Sequence, residues 1–331
     1  MDSAADAAND TALDAAVRLL EAGELVAIPT ETVYGLAADA ANDAAVRRIY
    51  AVKGRPASHP VIVHLHRQAD PLRWASALPR TARTLIDAFW PGPLTLVLPR
   101  RPGVAQACAA GQDTIALRCP AHPLTQALLA RFRAGQGGLA APSANRFGRI
   151  SPTCANDVRA ELGDAVALVL DGGPCSVGIE STIVDCSSGD PRILRPGGLG
   201  ATELAEVLRC DPGLLQRATG AAAPRVPGAL AAHYAPRTAL SLRAADAIDA
   251  DWAHAHRVGV LAPRAAPAAN PAAHWLQLPG DAAGYARTLY AALRALDARA
   301  LDSIWVEQPP SGAAWDAVRD RLRRAAHGAG R

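Results

Sequence analysis

Residues 94–118 read LTLVLPRRPGVAQACAAGQDTIALR: two alternating, strand-like runs at 94–98 and 114–118 around a loop at 99–113 rich in small residues, glycine and proline. Such alternation marks half-buried strands. Working outward, VIVHL at 61–65, VALVL at 166–170 and STIVD at 181–185 repeat the pattern. Upstream, a helical periodicity over 11–22 stops at Gly23, and the apolar run 25–29 then reads as a buried strand. Asn42 is a good N-cap for a second helix that ends at Gly54, which puts Lys53 and Arg55 at its exit. With helices over 122–134 and 202–209, residues 1–210 are expected to form a mixed α/β domain.

At about Asp211 the composition turns to Ala, Pro and Gly, and residues 211–237 read as a linking arm carrying HYAP at 233–236. Beyond it, strand-like runs at 239–242, 257–263, 274–279 and 303–308 alternate with helices near 281–298 and 312–326. That order predicts a small, Rossmann-like parallel α/β unit over 238–331. Long loops at 99–113, 142–153 and 171–180 are of the kind that carry function in a compact domain.

Composition narrows the class. The chain has 331 residues, half of them apolar, enough for two folded domains. Its net charge of +3, from 34 basic against 31 acidic residues, falls far short of an electrostatic nucleic-acid binder. Cys108, Cys119, Cys154, Cys175, Cys186 and Cys210 include no C-x-x-C pair and are too sparse for a disulfide scaffold. The acidic start MDSAADAAND and the lack of any apolar run of about 18 residues give a cytoplasmic expectation, with no membrane partner. Lys53 is the only lysine in an arginine-rich chain, and a compact ammonium is not interchangeable with a planar guanidinium.

Four polar clusters interrupt the apolar pattern: PTETVYGL at 29–36, KGRPASHPVIVHL at 53–65, APSANRFGRISPT at 141–153 and GIESTIVD at 178–185. Lys53 and Arg55 flank Gly54 in a short turn, two fixed cations suited to an oxyanion, phosphate above all. Ser143, Asn145, Ser151 and Thr153, with Gly148, supply small donors for phosphate oxygens. Arg118 and Arg195 stand at strand ends. No P-loop and no G-x-G-x-x-G occurs, no serine sits in a G-x-S-x-G elbow, and the nine histidines lack metal-ligand spacing. No protein metal site is expected.

These stretches, together with FWPGPLTLVLP, TIALRCPAHP and ILRPG, resemble the YrdC-type threonylcarbamoyladenylate synthases in their long form with an extra C-terminal domain. The motifs span residues 25–200 in order, and HYAP and the terminal unit extend the likeness more weakly over the rest. The resemblance implies a YrdC-like twisted mixed sheet with a large concave, positively lined cavity. It implies that L-threonine, bicarbonate and ATP yield L-threonylcarbamoyl-AMP and pyrophosphate, for modification of the adenosine beside the anticodon of tRNA. A separate transferase complex would act downstream, and direct tRNA binding is not required. The family's K-x-R and S-x-N signature falls on Lys53, Arg55, Ser143 and Asn145, with Lys53 and Arg55 as the catalytic cations. By the same resemblance Thr32, His64, Arg118, Ala141 and Ser181 contact L-threonine. Arg55, His59, Thr114, Ser143, Asn145, Ser151, Arg195 and Tyr234 surround ATP.

The residue chemistry agrees with those roles. Fixed cations and hydroxyl donors stabilise charge that builds on phosphate oxygens. Arg118 suits a carboxylate, and Thr32, His64 and Ser181 suit a small hydroxyl-bearing amino acid. Magnesium is expected to arrive with ATP, with no tightly bound cofactor. The arm is expected to fold over the cavity mouth and bring Tyr234 to the nucleotide. An RNA-binding protein using a basic cavity is the alternative from another class, disfavoured by the charge balance. A hydrogenase-maturation carbamoyl transferase lacks support, because the chain has neither an acylphosphatase-like segment nor cysteine-rich zinc modules.

Overall fold

The computed structural model describes residues 3–215 and 223–330, so the part of the expected arm at 216–222 lies outside the described residues. Two sheets organise the chain. The first has nine strands, β1 (Val26–Ile28), β2 (Gly35–Asp39), β3 (Val63–Leu65), β4 (Leu94–Pro99), β5 (Thr114–Arg118), β6 (Gly138–Ala140), β7 (Leu168–Val169), β8 (Thr182–Asp185) and β9 (Arg192–Arg195). Their spatial order is β7-β1-β2-β6-β3-β5-β4-β8-β9. Pairing is mixed: β3 runs parallel to β5 and β4 parallel to β8, while β4 and β5 are antiparallel.

Helices α1 (Ser3–Glu21), α2 (Asp43–Lys53), α3 (Arg80–Phe89), α4 (Gln106–Ala109), α5 (Pro123–Arg131), α6 (Ala155–Leu162), α7 (Ala201–Leu208) and α8 (Pro212–Leu215) accompany that sheet. The Asn42 side chain caps α2 by accepting from the Ala44 and Ala45 N–H groups. Gly54 ends the helix in the left-handed region at φ 62°, so Lys53 is the last helical residue, as the sequence predicts. Strands β2 and β6 and helices α3, α4, α6, α8 and α9 are absent from the sequence reading, and β9 is marked there only by Arg195 at its end. Each strand is short, and Ala- and Gly-rich stretches such as GLAAD and GLA carry no β-branched signal. The run VALVL yields only the two-residue β7, paired parallel with β1.

The second sheet is wholly parallel, in the order β10 (Ala239–Arg243), β13 (Ser303–Glu307), β11 (Val258–Ala262), β12 (His274–Gln277). It is covered by α9 (Ala245–Trp252), α10 (Ala282–Asp297) and α11 (Asp316–Gly328). The two sheets share a buried cluster in which Val33, Ile150 and Ile179 meet Tyr234, Tyr285, Leu289, Tyr290 and Leu293. Arg294 on α10 reinforces the junction by donating to Glu161 at 3.2 Å and to the Ile150 carbonyl. A smaller cluster positions the site: Ile62, Val97, Ala116 and Ile183 present one sheet face, and Val226 from the arm covers it. Leu215, at the start of the expected arm, instead packs into the first core. All six cysteines are unpaired thiols.

Candidate active site

The turns after β1 and β6, the end of β5, Ser181 just before β8 and Arg195 at the end of β9 converge on one cavity. Thr32, His64, Arg118, Ala141 and Ser181 line it, and so do Arg55, Ser143, Arg195 and Tyr234. Three guanidinium groups therefore face one small volume, with the Glu180 carboxylate among them. The remaining free space is about 50 Å³, against roughly 300–1,000 Å³ for a drug-sized ligand. Pro227, Gly228, His233 and Tyr234 of the arm supply the wall that fills it. A larger cleft of about 690 Å³ lies between the two units, but none of the predicted site residues lines it.

Arg118 ends β5 and is buried, with every contact facing inward. Its Nη2 donates to Glu31 at 2.6 Å, its Nη1 to Thr32 Oγ1 at 2.8 Å and its Nε to the Gly92 carbonyl at 3.3 Å. Glu31 also accepts from the Ala121 N–H at 3.0 Å, so this carboxylate fixes the fork from behind. One N–H on each Nη remains for a ligand carboxylate. His64 pairs in register with Arg118 on the neighbouring strand, and its Nδ1 has no partner. Burial, with the Arg118 charge beside it, pushes its pKa down to about 3, so the imidazole is neutral.

Arg195, at the end of β9, donates to the Ser181 carbonyl at 2.8 Å and to its Oγ at 3.2 Å, and reaches the Pro227 carbonyl of the arm at 3.0 Å. Ser181 Oγ is also within 2.8 Å of Thr95 Oγ1. Arg55 donates to the Pro60 carbonyl at 2.7 Å, keeps an unpartnered Nε, and lies over the Phe147 ring at 5.8 Å. Burial lowers its pKa to about 10, with Arg195 adding to the effect.

Lys53 takes a different place. Its ammonium donates to the Ser143 carbonyl at 2.5 Å and to the Asn145 carbonyl, and Lys53 does not line the cavity. Burial first, and then Arg55, hold its pKa well below the ordinary lysine value. The K-x-R and S-x-N residues thus meet through backbone: the lysine clamps the loop, and Arg55 and Ser143 face the site. Asn145 likewise turns inward, donating to the Arg146 and Arg149 carbonyls.

Ser151 corrects another expectation. It donates to Glu180 Oε1 at 2.6 Å, so its proton is committed and its oxygen is free only to accept. A ribose hydroxyl suits it; a phosphate oxygen does not. Of the residues expected around ATP, Thr114, His59, Asn145 and Ser151 are not among those lining the cavity. Thr114 opens β5 opposite Pro99, on the same strand face as Arg118, and His59 meets Phe147 edge-on at 5.5 Å. The sequence reading misses Glu31, Glu180 and Phe147, although each lies inside a quoted motif, and misses Arg321, one arginine among many.

Tyr234 is fully buried, with φ 62° and an unpartnered hydroxyl. It stacks on Tyr290 of α10 at 5.8 Å and lies under the Arg321 guanidinium at 5.1 Å. Among the described residues no cluster of three His, Cys, Asp or Glu side chains is arranged to hold a metal, and no helix is long and apolar enough to cross a membrane.

The comparisons with known proteins decide the family. The Sua5, YciO and YrdC family model, described as telomere recombination, matches residues 18–197, and a model described as threonylcarbamoyl-AMP synthase, C-terminal domain, matches residues 200–327. A threonylcarbamoyl-AMP synthase of Bacillus subtilis is 38% identical over 97% of this chain and 94% of its own length. The chain belongs to the threonylcarbamoyl-AMP synthase family. The crystal structure of Pyrococcus abyssi Sua5 complexed with L-threonine superposes with a TM-score of 0.83 at 33% identity, covering 95% of this chain and 94% of that one. A Pyrococcus abyssi Sua5 structure with adjacent histidine and tyrosine replaced by alanine gives a TM-score of 0.81. The synthase fold thus extends through both sheets.

Proposed function

We propose that the cavity binds L-threonine and ATP together, with the arm opening to admit them and closing over them for reaction. As in its family, the chain makes L-threonylcarbamoyl-AMP and pyrophosphate from L-threonine, bicarbonate and ATP, for tRNA modification. One observation carries the site assignment: Arg55, Arg118 and Arg195 converge with Ser143 and Ser181 on a buried volume that Tyr234 of the arm now fills.

The chemistry follows from that convergence. Arg118, squared by Glu31, holds the threonine carboxylate, and Thr32 and neutral His64 meet its hydroxyl and amine. Neighbouring guanidinium charge favours loss of the ammonium proton to solvent, which frees the amine to attack the bicarbonate carbon. As the C–N bond forms, a C–O bond breaks and the oxygen leaves as water, giving the carbamate. The carbamate oxygen then attacks the α-phosphorus and pyrophosphate leaves. Arg55 and Arg195 stabilise the charge on the phosphate oxygens, at sites where desolvation strengthens each interaction. Lys53 holds the 143–145 loop in place, and Ser151 accepts from the nucleotide.

Closing the arm shields the labile product from water. Magnesium enters with ATP as part of the substrate. The product passes to a transferase complex that acts on tRNA, which places the protein in the cytoplasm. An arm-filled cavity of about 50 Å³ presents no open cationic groove to an RNA backbone.

Pyrophosphate release measured against each substrate tests the assignment. Arg118→Lys loses the bidentate fork and should raise KM for threonine at least roughly tenfold, leaving KM for ATP within about twofold. Arg55→Ala should do the reverse. Equal shifts of both constants in both variants would contradict the division of the site.

A further inference from the structure

The Glu180 carboxylate is a junction between the two units. Its Oε1 accepts from Ser151 at 2.6 Å, while its Oε2 accepts from Tyr290 Oη at 3.0 Å and from Arg321 Nε at 2.7 Å. Ser151 belongs to the first unit, and Tyr290 and Arg321 project from α10 and α11 of the second. The Arg321 side chain has no solvent exposure. Its Nη1 donates to Asp320 at 2.9 Å, its Nη2 has no partner, and its plane covers the Tyr234 ring at 5.1 Å. The same helix grips the arm further along. Arg324 donates to the Leu230 carbonyl and accepts from the His233 N–H at 3.3 Å, and a Cβ on Gly328 would stand 3.0 Å from that of Ala235.

A plain interface ion pair would stabilise the junction and do nothing more, and a buried pair is weak evidence even for that. This one reaches two further groups at once: the Tyr234 ring through Arg321 and the Ser151 hydroxyl through Glu180. We propose that Glu180 and Arg321 are positioning residues through which helix α11 sets the closed place of the arm and the orientation of Ser151, and so controls nucleotide binding. Among the described residues no hydrogen bond joins the pair to Thr32, His64 or Arg118, so its effect is expected to fall first on the nucleotide. The proposal rests on the nucleotide site assigned above.

The decisive variant is Glu180→Gln/Arg321→Met, which removes both charges of the pair while Asp320 keeps Arg324 as its partner. In the full chain it should raise KM for ATP at least tenfold with KM for threonine within twofold. Amide hydrogen exchange at His233 and Ala235 should speed at least tenfold, while the amides of β4 and β5 keep their protection. Tyr290→Phe, which deletes one hydroxyl and keeps the ring, should shift KM for ATP in the same direction by less. Arg321→Lys should recover most of the ATP affinity lost in Arg321→Met.

A double variant with wild-type constants and wild-type exchange would overturn the proposal, because neutralising a buried charge would then be the pair's whole role. Equal loss of both KM values would also overturn it. Exchange needs no turnover, so the two readings fail separately: lack of threonine-dependent turnover in the wild type sinks the nucleotide site, and unchanged exchange sinks the positioning role.

Discussion

A single methyl group at Gly228 should open the arm. Gly228 sits in the left-handed region at φ 72°, and a Cβ built there would lie 2.0 Å from Tyr234 Oη and 3.2 Å from Cζ. Alanine in that conformation costs about 1–2 kcal/mol, and overpacking of a filled site typically costs about 1–3 kcal/mol more. The Tyr234 ring would have to retreat by roughly an ångström, off Tyr290 and out from under Arg321. A net penalty of about 3 kcal/mol lowers the closed-to-open ratio roughly a hundredfold. Because the arm opens locally, Tm should move far less than that figure implies.

Two assays read the effect of Gly228→Ala. Initial rates of pyrophosphate release against ATP, at saturating threonine, should show kcat/KM lowered about 30- to 100-fold. Hydrogen exchange at Ala235, whose N–H donates to the Gly148 carbonyl at 2.8 Å, should accelerate. Adding Tyr234→Phe removes the atom at 2.0 Å and should restore most of that protection. Wild-type turnover with an arm that exchanges freely would refute the need for closure; wild-type exchange would refute the packing argument itself.

Two further outcomes are expected. Lys53→Ala should cut pyrophosphate release at least roughly a hundredfold, and Lys53→Arg should not rescue it, since a planar fork does not fit between the Ser143 and Asn145 carbonyls; turnover near wild type in either variant would contradict the clamp. His64 and His233 are held neutral by burial, each pushed down to about 3, whereas the unfolded chain takes up a proton at each below about 6.5. Stability should therefore fall as pH drops from 6.5 to 5, by up to about 1.4 kcal/mol per pH unit for each imidazole. The urea midpoint followed over that range should flatten in His64→Asn/His233→Asn, and an unchanged slope would refute the linkage.

Much of this molecule is legible in its residues, for identifiable reasons. Strands such as LTLVL and TIALR carry β-branched alternation, and α2 carries its own cap and stop, so local physics specifies them. GLAAD of β2 and GLA of β6 depend on neighbours for their strand state, and no local signal marks them. The cationic residues are visible by type, but their direction is not. Lys53 turns to backbone carbonyls because a buried ammonium needs acceptors wherever the fold supplies them. Glu31 and Glu180 lie in plain view inside polar motifs, yet their work depends on partners 87 and 141 positions away, Arg118 and Arg321. Such pairings are set by topology, which a linear pattern does not display.

The most direct measurement is pyrophosphate release by the full chain with ATP, magnesium and bicarbonate, comparing L-threonine, L-serine and no amino acid. A site built around the substrate hydroxyl and its adjoining methyl predicts strong release with threonine, weak release with serine and background without either. Release that is the same in all three, from folded protein, would contradict the synthase site built here from Arg55, Arg118 and Arg195.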